Sequence, residues 1–151
     1  MSTVVRLHRD IPAPPDKVYR AWLDPDLLRR WMAPGGLEVL RAEVEPRVGG
    51  RYRIWHADAG TDVGGFDCEL VELEQDRRIA WRWGFVGPQR TDAPHFDSLL
   101  TVTLDGNPDG GTALTLVHER LAELAAALPQ VAANVAGGWE SALDKLAEVA
   151  A

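Results

Sequence analysis

The chain has 151 residues, 46% of them hydrophobic, and a formal net charge of −7 from 16 Lys and Arg against 23 Asp and Glu. That length fits one domain, residues 1–151, able to bury a hydrophobic core. The acidic balance, with no basic run, argues against nucleic acid and anionic membrane surfaces as partners, since both repel such a chain on average.

No apolar run approaches the roughly 20 residues of a membrane-spanning helix. The opening MSTVVRLHRDIPAPP lacks the apolar core of a secretory signal, and the lone Cys68 has no partner for an internal disulfide. A soluble, cytoplasmic protein is the expectation.

In chain order, TVVRLHRDI alternates apolar and polar residues and predicts a strand ending at Pro12. Pro14 and Pro15 open a helix with Val18, Ala21 and Trp22 on one side. Asp24 caps a second helix, with Pro25 at its first position and Leu27, Leu28 and Trp31 inward, ended by Pro34, Gly35 and Gly36. From Leu37 to Glu119 the period is two, and LEVLRAEV, GRYRIWHA, GGFDCELVEL, RRIAWRWGFV, HFDSLLTVTL and GTALTLVHE predict six more strands. Their connections are too short for parallel crossovers, so the sheet is antiparallel. Gly49-Gly50, Gly64-Gly65 and DGNPDGG are expected to mark its turns.

RLAELAAAL predicts a helical turn or two, and from Pro129 onward one long helix of roughly 33 Å follows. Val131, Val135, Trp139, Ala142, Leu143, Leu146 and Val149 form its apolar stripe. Gly137 and Gly138 interrupt this helix, each at a cost of roughly 0.5–1 kcal/mol relative to Ala. Gly138 falls on the edge of the stripe and Gly137 outside it.

A strand, two short helices, six strands and a long terminal helix make an α+β helix-grip fold: a curved antiparallel sheet of about seven strands wrapped around its last helix. APPDKVYRAWLDPDLLRRW, VGGRYRI, ELVELEQDRRIAWRW, GGTALTLVHE and GGWESALDKL, in that order, closely resemble the heat-shock protein 90 ATPase-activator homologues of the START-like (SRPBCC) superfamily. Met32 and Ala33 depart from the family pattern, standing where a tryptophan and a glycine are common. The resemblance implies a space between sheet and terminal helix, used for a ligand in many such proteins. Gly138 then either leaves room for a ligand or lets the helix pack closely on the sheet.

Side-chain parity names the inward wall. Tyr52, Ile54 and His56 share a face, as do Phe66, Cys68 and Leu70; Ile79, Trp81, Trp83 and Phe85; Phe96, Ser98 and Leu100; and Leu114, Leu116 and His118. An apolar wall with a few polar points describes a small-molecule pocket and an ordinary core equally well. The cavity-lining candidates are Trp31, Tyr52, Ile54, His56, Phe66, Cys68, Trp81, Trp83, Phe96, Ser98, Leu100, His118, Gly138 and Trp139. An enclosed cavity bounded by Trp81, Trp83, His118 and Trp139 is expected. Arg51, Arg53 and Arg82 belong to the outer face.

No G-x-S-x-G, H-E-x-x-H, C-x-x-C or P-loop occurs, and His8, His56, His95 and His118 fall on separate strands. No cofactor, metal or catalytic residue is therefore assigned. The first functional reading is binding of a hydrophobic or amphipathic small molecule, by a monomer or homodimer. The second, implied by the resemblance, is a chaperone contact in a stress-response setting; it ranks lower because the eukaryotic activator makes much of that contact through a preceding domain, whereas this sequence opens on the grip domain. The third is a cyclase- or aromatase-like enzyme, with His56, His118 and Asp97 as acid-base candidates although Asp97 has outward parity.

Overall fold

The computed structural model describes residues 4–87 and 95–150, with backbone alone at 95–97. Strand β1 (Val5–Ile11) leads into helices α1 (Pro15–Leu23) and α2 (Pro25–Trp31). Six strands follow: β2 (Glu38–Val44), β3 (Arg51–Asp58), β4 (Thr61–Glu74), β5 (Arg78–Val86), β6 (His95–Gly106) and β7 (Thr112–Glu119). Helices α3 (Ala122–Ala127), α4 (Pro129–Ala133) and α5 (Val135–Ala150) close the described chain. The strands form one seven-stranded antiparallel sheet in the order β1-β7-β6-β5-β4-β3-β2, so the first strand lies beside the last, with Val5 opposite His118. This is the helix-grip architecture expected from the sequence.

The helix starts obey the capping chemistry read from the sequence. Asp24 ends α1 and caps α2, its carboxylate accepting from the Asp26 N–H at 2.9 Å, while Pro25 occupies a position whose N–H would have no intrahelical partner. Val18, Ala21, Trp22, Leu28 and Trp31 face inward to meet Trp139, Ala142, Leu143 and Leu146 of α5 and the inner face of the sheet in one core. The outer face is polar. Arg51 and Arg53 each approach the same Asp67 carboxylate oxygen at 3.4 Å, Arg82 meets Glu69 at 3.2 Å, and Arg78 meets Glu72 at 2.9 Å.

Two local expectations are corrected. Gly64 and Gly65 lie inside β4, and the hairpin turn is Ala59-Gly60, with φ of +50° and +86°. His56 pairs with Gly64 while Ala57 pairs with Asp62, so Val63 is the extra residue of a β-bulge that Gly64 flanks, and Gly65 pairs regularly with Trp55. Gly64 adopts φ +102°, and a Cβ there would lie 2.2 Å from the Val86 carbonyl oxygen. Close approach of β4 to the end of β5 is what requires this glycine.

The second correction concerns the terminal helix. It is broken at Asn134, whose N–H reaches the Val131 carbonyl three residues back at 3.1 Å, and α5 alone spans 16 residues, or about 24 Å. Val131 consequently lies on an exposed segment rather than in the core.

The glycines allow a paired test. Gly64→Ala should destabilise the protein by about 1–3 kcal/mol or more, through steric overlap and a strained φ. Gly137→Ala, where a Cβ meets nothing within 4 Å, should stabilise it by roughly 0.5–1 kcal/mol. Urea denaturation of both variants checks the signs; a Gly64→Ala variant as stable as wild type would contradict the bulge geometry.

Candidate functional site

Aromatic rings fill the centre of the grip. Trp22 packs against Trp31, Trp81 and Trp139 at centroid distances of 4.6, 5.3 and 6.0 Å, and Trp83 lies 5.8 Å from Trp81 and 5.2 Å from Trp139. Two of the polar side-chain atoms here are tied to backbone carbonyls. The Tyr52 hydroxyl donates to the Trp22 carbonyl at 2.7 Å and the Trp31 indole N–H to the Ala21 carbonyl at 3.0 Å. Burial pushes the Tyr52 phenol well above its ordinary pKa, so it stays neutral. The indole N–H groups of Trp22, Trp81 and Trp83 are buried with no hydrogen-bond partner.

A chain of hydrogen bonds crosses this centre from helix to sheet. The Trp139 indole N–H donates to His118 Nδ1 at 3.1 Å, His118 Nε2 lies 2.8 Å from Ser98 Oγ, and Ser98 Oγ donates to the Trp83 carbonyl at 2.9 Å. A hydroxyl has one proton. With that proton spent on Trp83, His118 Nε2 must be the donor to Ser98, which fixes the neutral Nε2–H tautomer. Burial lowers the His118 pKa to about 3.

The open volume lies to one side of this centre, where the ends of β3, β4 and β5 run past the start of α5. It is a cavity of about 440 Å³, within the range of roughly 300–1,000 Å³ usual for small-molecule sites. One wall comes from the segment after α2 (Met32, Pro34, Leu37); the sheet supplies His56, Phe66, Phe85 and Val86. Helix α5 supplies Val135, Gly138, Trp139 and Ala142, and the α3–α4 region adds Leu128, Val131 and Asn134. Val63, Leu128 and Val131 are large apolar residues 41%, 44% and 37% exposed, and they form an apolar lip.

The wall after α2 is pinned from both sides. His56 Nε2 donates to the Met32 carbonyl at 2.7 Å. Lys145 Nζ donates to the carbonyls of Ala33 and Gly35 at 2.6 and 2.8 Å, and the Gly35 N–H donates to Ser141 Oγ at 2.8 Å. Among the described residues no group of three or more His, Cys, Asp or Glu side chains is placed to hold a metal ion.

The sequence profile of the family described as "Activator of Hsp90 ATPase homolog 1-like protein" matches residues 12–151. The chain belongs to this family. No curated protein matches the sequence at a significant level. Among solved structures, protein CV1439 from Chromobacterium violaceum is 33% identical over 99% of this chain and 98% of its own, with a TM-score of 0.80. Protein NE0264 from Nitrosomonas europaea shares the fold at 21% identity, TM-score 0.79, over 97% of this chain and 93% of its own. The AHSA1 (SPO3351) protein from Silicibacter pomeroyi shares it at 19% identity, TM-score 0.74, over 96% and 95%.

In this Hsp90 ATPase-activator homologue, four of the residues proposed from sequence line the cavity: His56, Phe66, Gly138 and Trp139. Trp31, Tyr52, Ile54, Cys68, Trp81, Trp83, Ser98, Leu100 and His118 do not; each is at most 2% exposed and packed in the core. The cavity bounded by Trp81, Trp83 and His118 is therefore corrected: those rings interlock, leaving the space to one side of them. The side chains of Phe96 and Asp97 lie outside the described residues. Met32, Pro34, Leu37, Phe85, Val86 and Val135 were missed as lining residues, although Phe85 shares the parity of Trp83 and Val135 the stripe of Trp139.

Two measurements test this core of the activator homologue. Trp139→Ala should cost about 3–5 kcal/mol in chemical denaturation, because it deletes a buried indole and leaves His118 Nδ1 unpaired; an unchanged midpoint would remove Trp139 from its place. The second is pH dependence. The folded pKa of His118, about 3, lies below the unfolded value near 6.5, so its contribution is fully present above about pH 6.5 and is lost as pH falls toward 3. Between pH 7.5 and 5 this amounts to about 2 kcal/mol. His118→Gln should lose correspondingly less stability over that interval; equal losses in both proteins would refute the assignment.

Proposed function

We propose that this protein binds a hydrophobic or amphipathic small molecule in the cavity between the start of α5 and the ends of β3, β4 and β5, and that it works in the cytoplasm. The observation that carries the reading is the cavity itself: about 440 Å³, walled by apolar and aromatic side chains and bordered by an exposed apolar lip. Such a mouth costs solubility unless something uses it. Gly138 supports the same reading. A Cβ at that position would touch only Pro34 Cβ, at 3.6 Å, so close helix packing does not demand the glycine.

Family membership supports a chaperone contact as the second reading. Stimulation of a purified heat-shock protein 90 ATPase by this chain would favour it. The acid-base reading loses His118, which is neutral, buried and bonded at both ring nitrogens.

Gly138→Leu separates a used cavity from an idle one. Leucine gains roughly 0.8 kcal/mol of helix propensity over glycine, so the variant should fold at least as stably as wild type. Its side chain should also occupy the cavity and abolish displaceable binding of a neutral fluorescent probe. Undiminished probe binding by a folded variant would overturn the proposed site.

A further inference from the structure

We infer that the occupant is an uncharged aromatic amphiphile, with its ring system among Phe66, Phe85 and Trp139 and its polar group at Asn134, rather than a fatty acid or other anion. This rests on the cavity reading above and names the class of ligand the cavity takes.

The charge argument comes first. None of the described residues lining the cavity is Asp, Glu, Lys or Arg. Lys145, one turn along α5 from the lining residue Ala142, commits its ammonium to the carbonyls of Ala33 and Gly35. A carboxylate entering the cavity would give up its water with no Lys or Arg among the described lining residues to pair with, which is costly in an apolar site. The net charge of −7 adds an unfavourable average potential. A neutral ligand bears neither cost.

The walls then select among neutral ligands. Phe66 is the hub: the Trp139 ring lies nearly parallel to it, at 21° and 6.4 Å, while Phe85 and His56 meet it edge-on at 5.5 and 4.9 Å. These faces and edges reward a planar π-system beyond what area burial alone gives an alkyl chain. The polar end is placed by Asn134. It sits at the break between α4 and α5, beside Leu128 and Val131 of the lip, exposed and with no side-chain hydrogen bond among the described residues. Its amide offers both a donor and an acceptor. His56 Nε2, by contrast, is spent on the Met32 carbonyl. The ligand therefore enters ring first and leaves its hydroxyl or amide at the mouth.

Competition against N-phenyl-1-naphthylamine, a neutral fluorescent probe, tests this in the intact protein at pH 7. 2-Naphthol should displace the probe at concentrations about tenfold or more below those required of 2-naphthoate or dodecanoate, the desolvated carboxylate accounting for the gap. Either anion competing as well as naphthol would overturn the ligand class while leaving the cavity reading intact. Failure of the probe to bind at all would bring down both. Asn134→Ala should weaken 2-naphthol about fivefold and leave naphthalene unchanged, as loss of one hydrogen bond requires. Equal effects on the two ligands would remove Asn134 from the assignment.

Discussion

The indole of Trp139 ties the terminal helix to the sheet. Its N–H reaches His118 on β7, and its ring packs against Trp22 from α1, Phe66 from β4 and Trp83 from β5. One side chain thus fixes both the rotation of α5 about its axis and its height above the sheet. Burying a ring nitrogen of histidine is costly unless it is hydrogen-bonded. The chain through His118 and Ser98 to the Trp83 carbonyl satisfies every polar atom it contains with one proton arrangement. Such a chain tolerates no rotation of the imidazole, so the helix above it is held in one register.

That anchoring explains where the cavity lies. Aromatic rings around Trp139 fill the middle of the grip, and the cavity lies toward Val135, where the helix begins and the small residue Gly138 replaces a side chain. The opposite wall is a loop with little regular structure of its own, and it stays in place through groups on other elements: His56 from β3 and Ser141 and Lys145 from α5. A rigid aromatic floor with a pinned loop at its edge is preorganised, so little ordering is left to be done when a ligand arrives.

Much of this was legible in the sequence. Period-two alternation located the strands after α2, and proline, aspartate and glycine marked where the first two helices begin and end. The β4 bulge was not legible, because a Gly-Gly pair reads the same whether the chain turns there or two strands come too close for a Cβ. Parity told which residues face inward but not how far along the grip they sit. Trp81 and Trp83 share a face with Phe85, yet only Phe85 reaches the cavity. The break at Asn134 was hidden for a related reason: the apolar stripe continues through Val131 and Val135 whether or not the backbone between them is helical. Position along a strand, and the few degrees of backbone that end a helix, are set by packing partners distant in sequence.

The sheet order carries a consequence for how the molecule is made. β1 pairs with β7, and α5 completes the cover that α1 and α2 begin over the inner face, so a chain emerging from the ribosome leaves Trp22 and Trp83 without the Trp139 ring until that region has been synthesised. Topologies in which the earliest segment must wait for the latest fold slowly, and their waiting forms are prone to stick to one another. The outer face does not share this delay. Its charged pairs join neighbouring strands, Arg82 with Glu69 and Arg53 with Asp67, and can form as each hairpin appears. During its own synthesis the protein is therefore a half-finished surface, polar on one side from early on and aromatic on the other until the first turns of α5 are laid down.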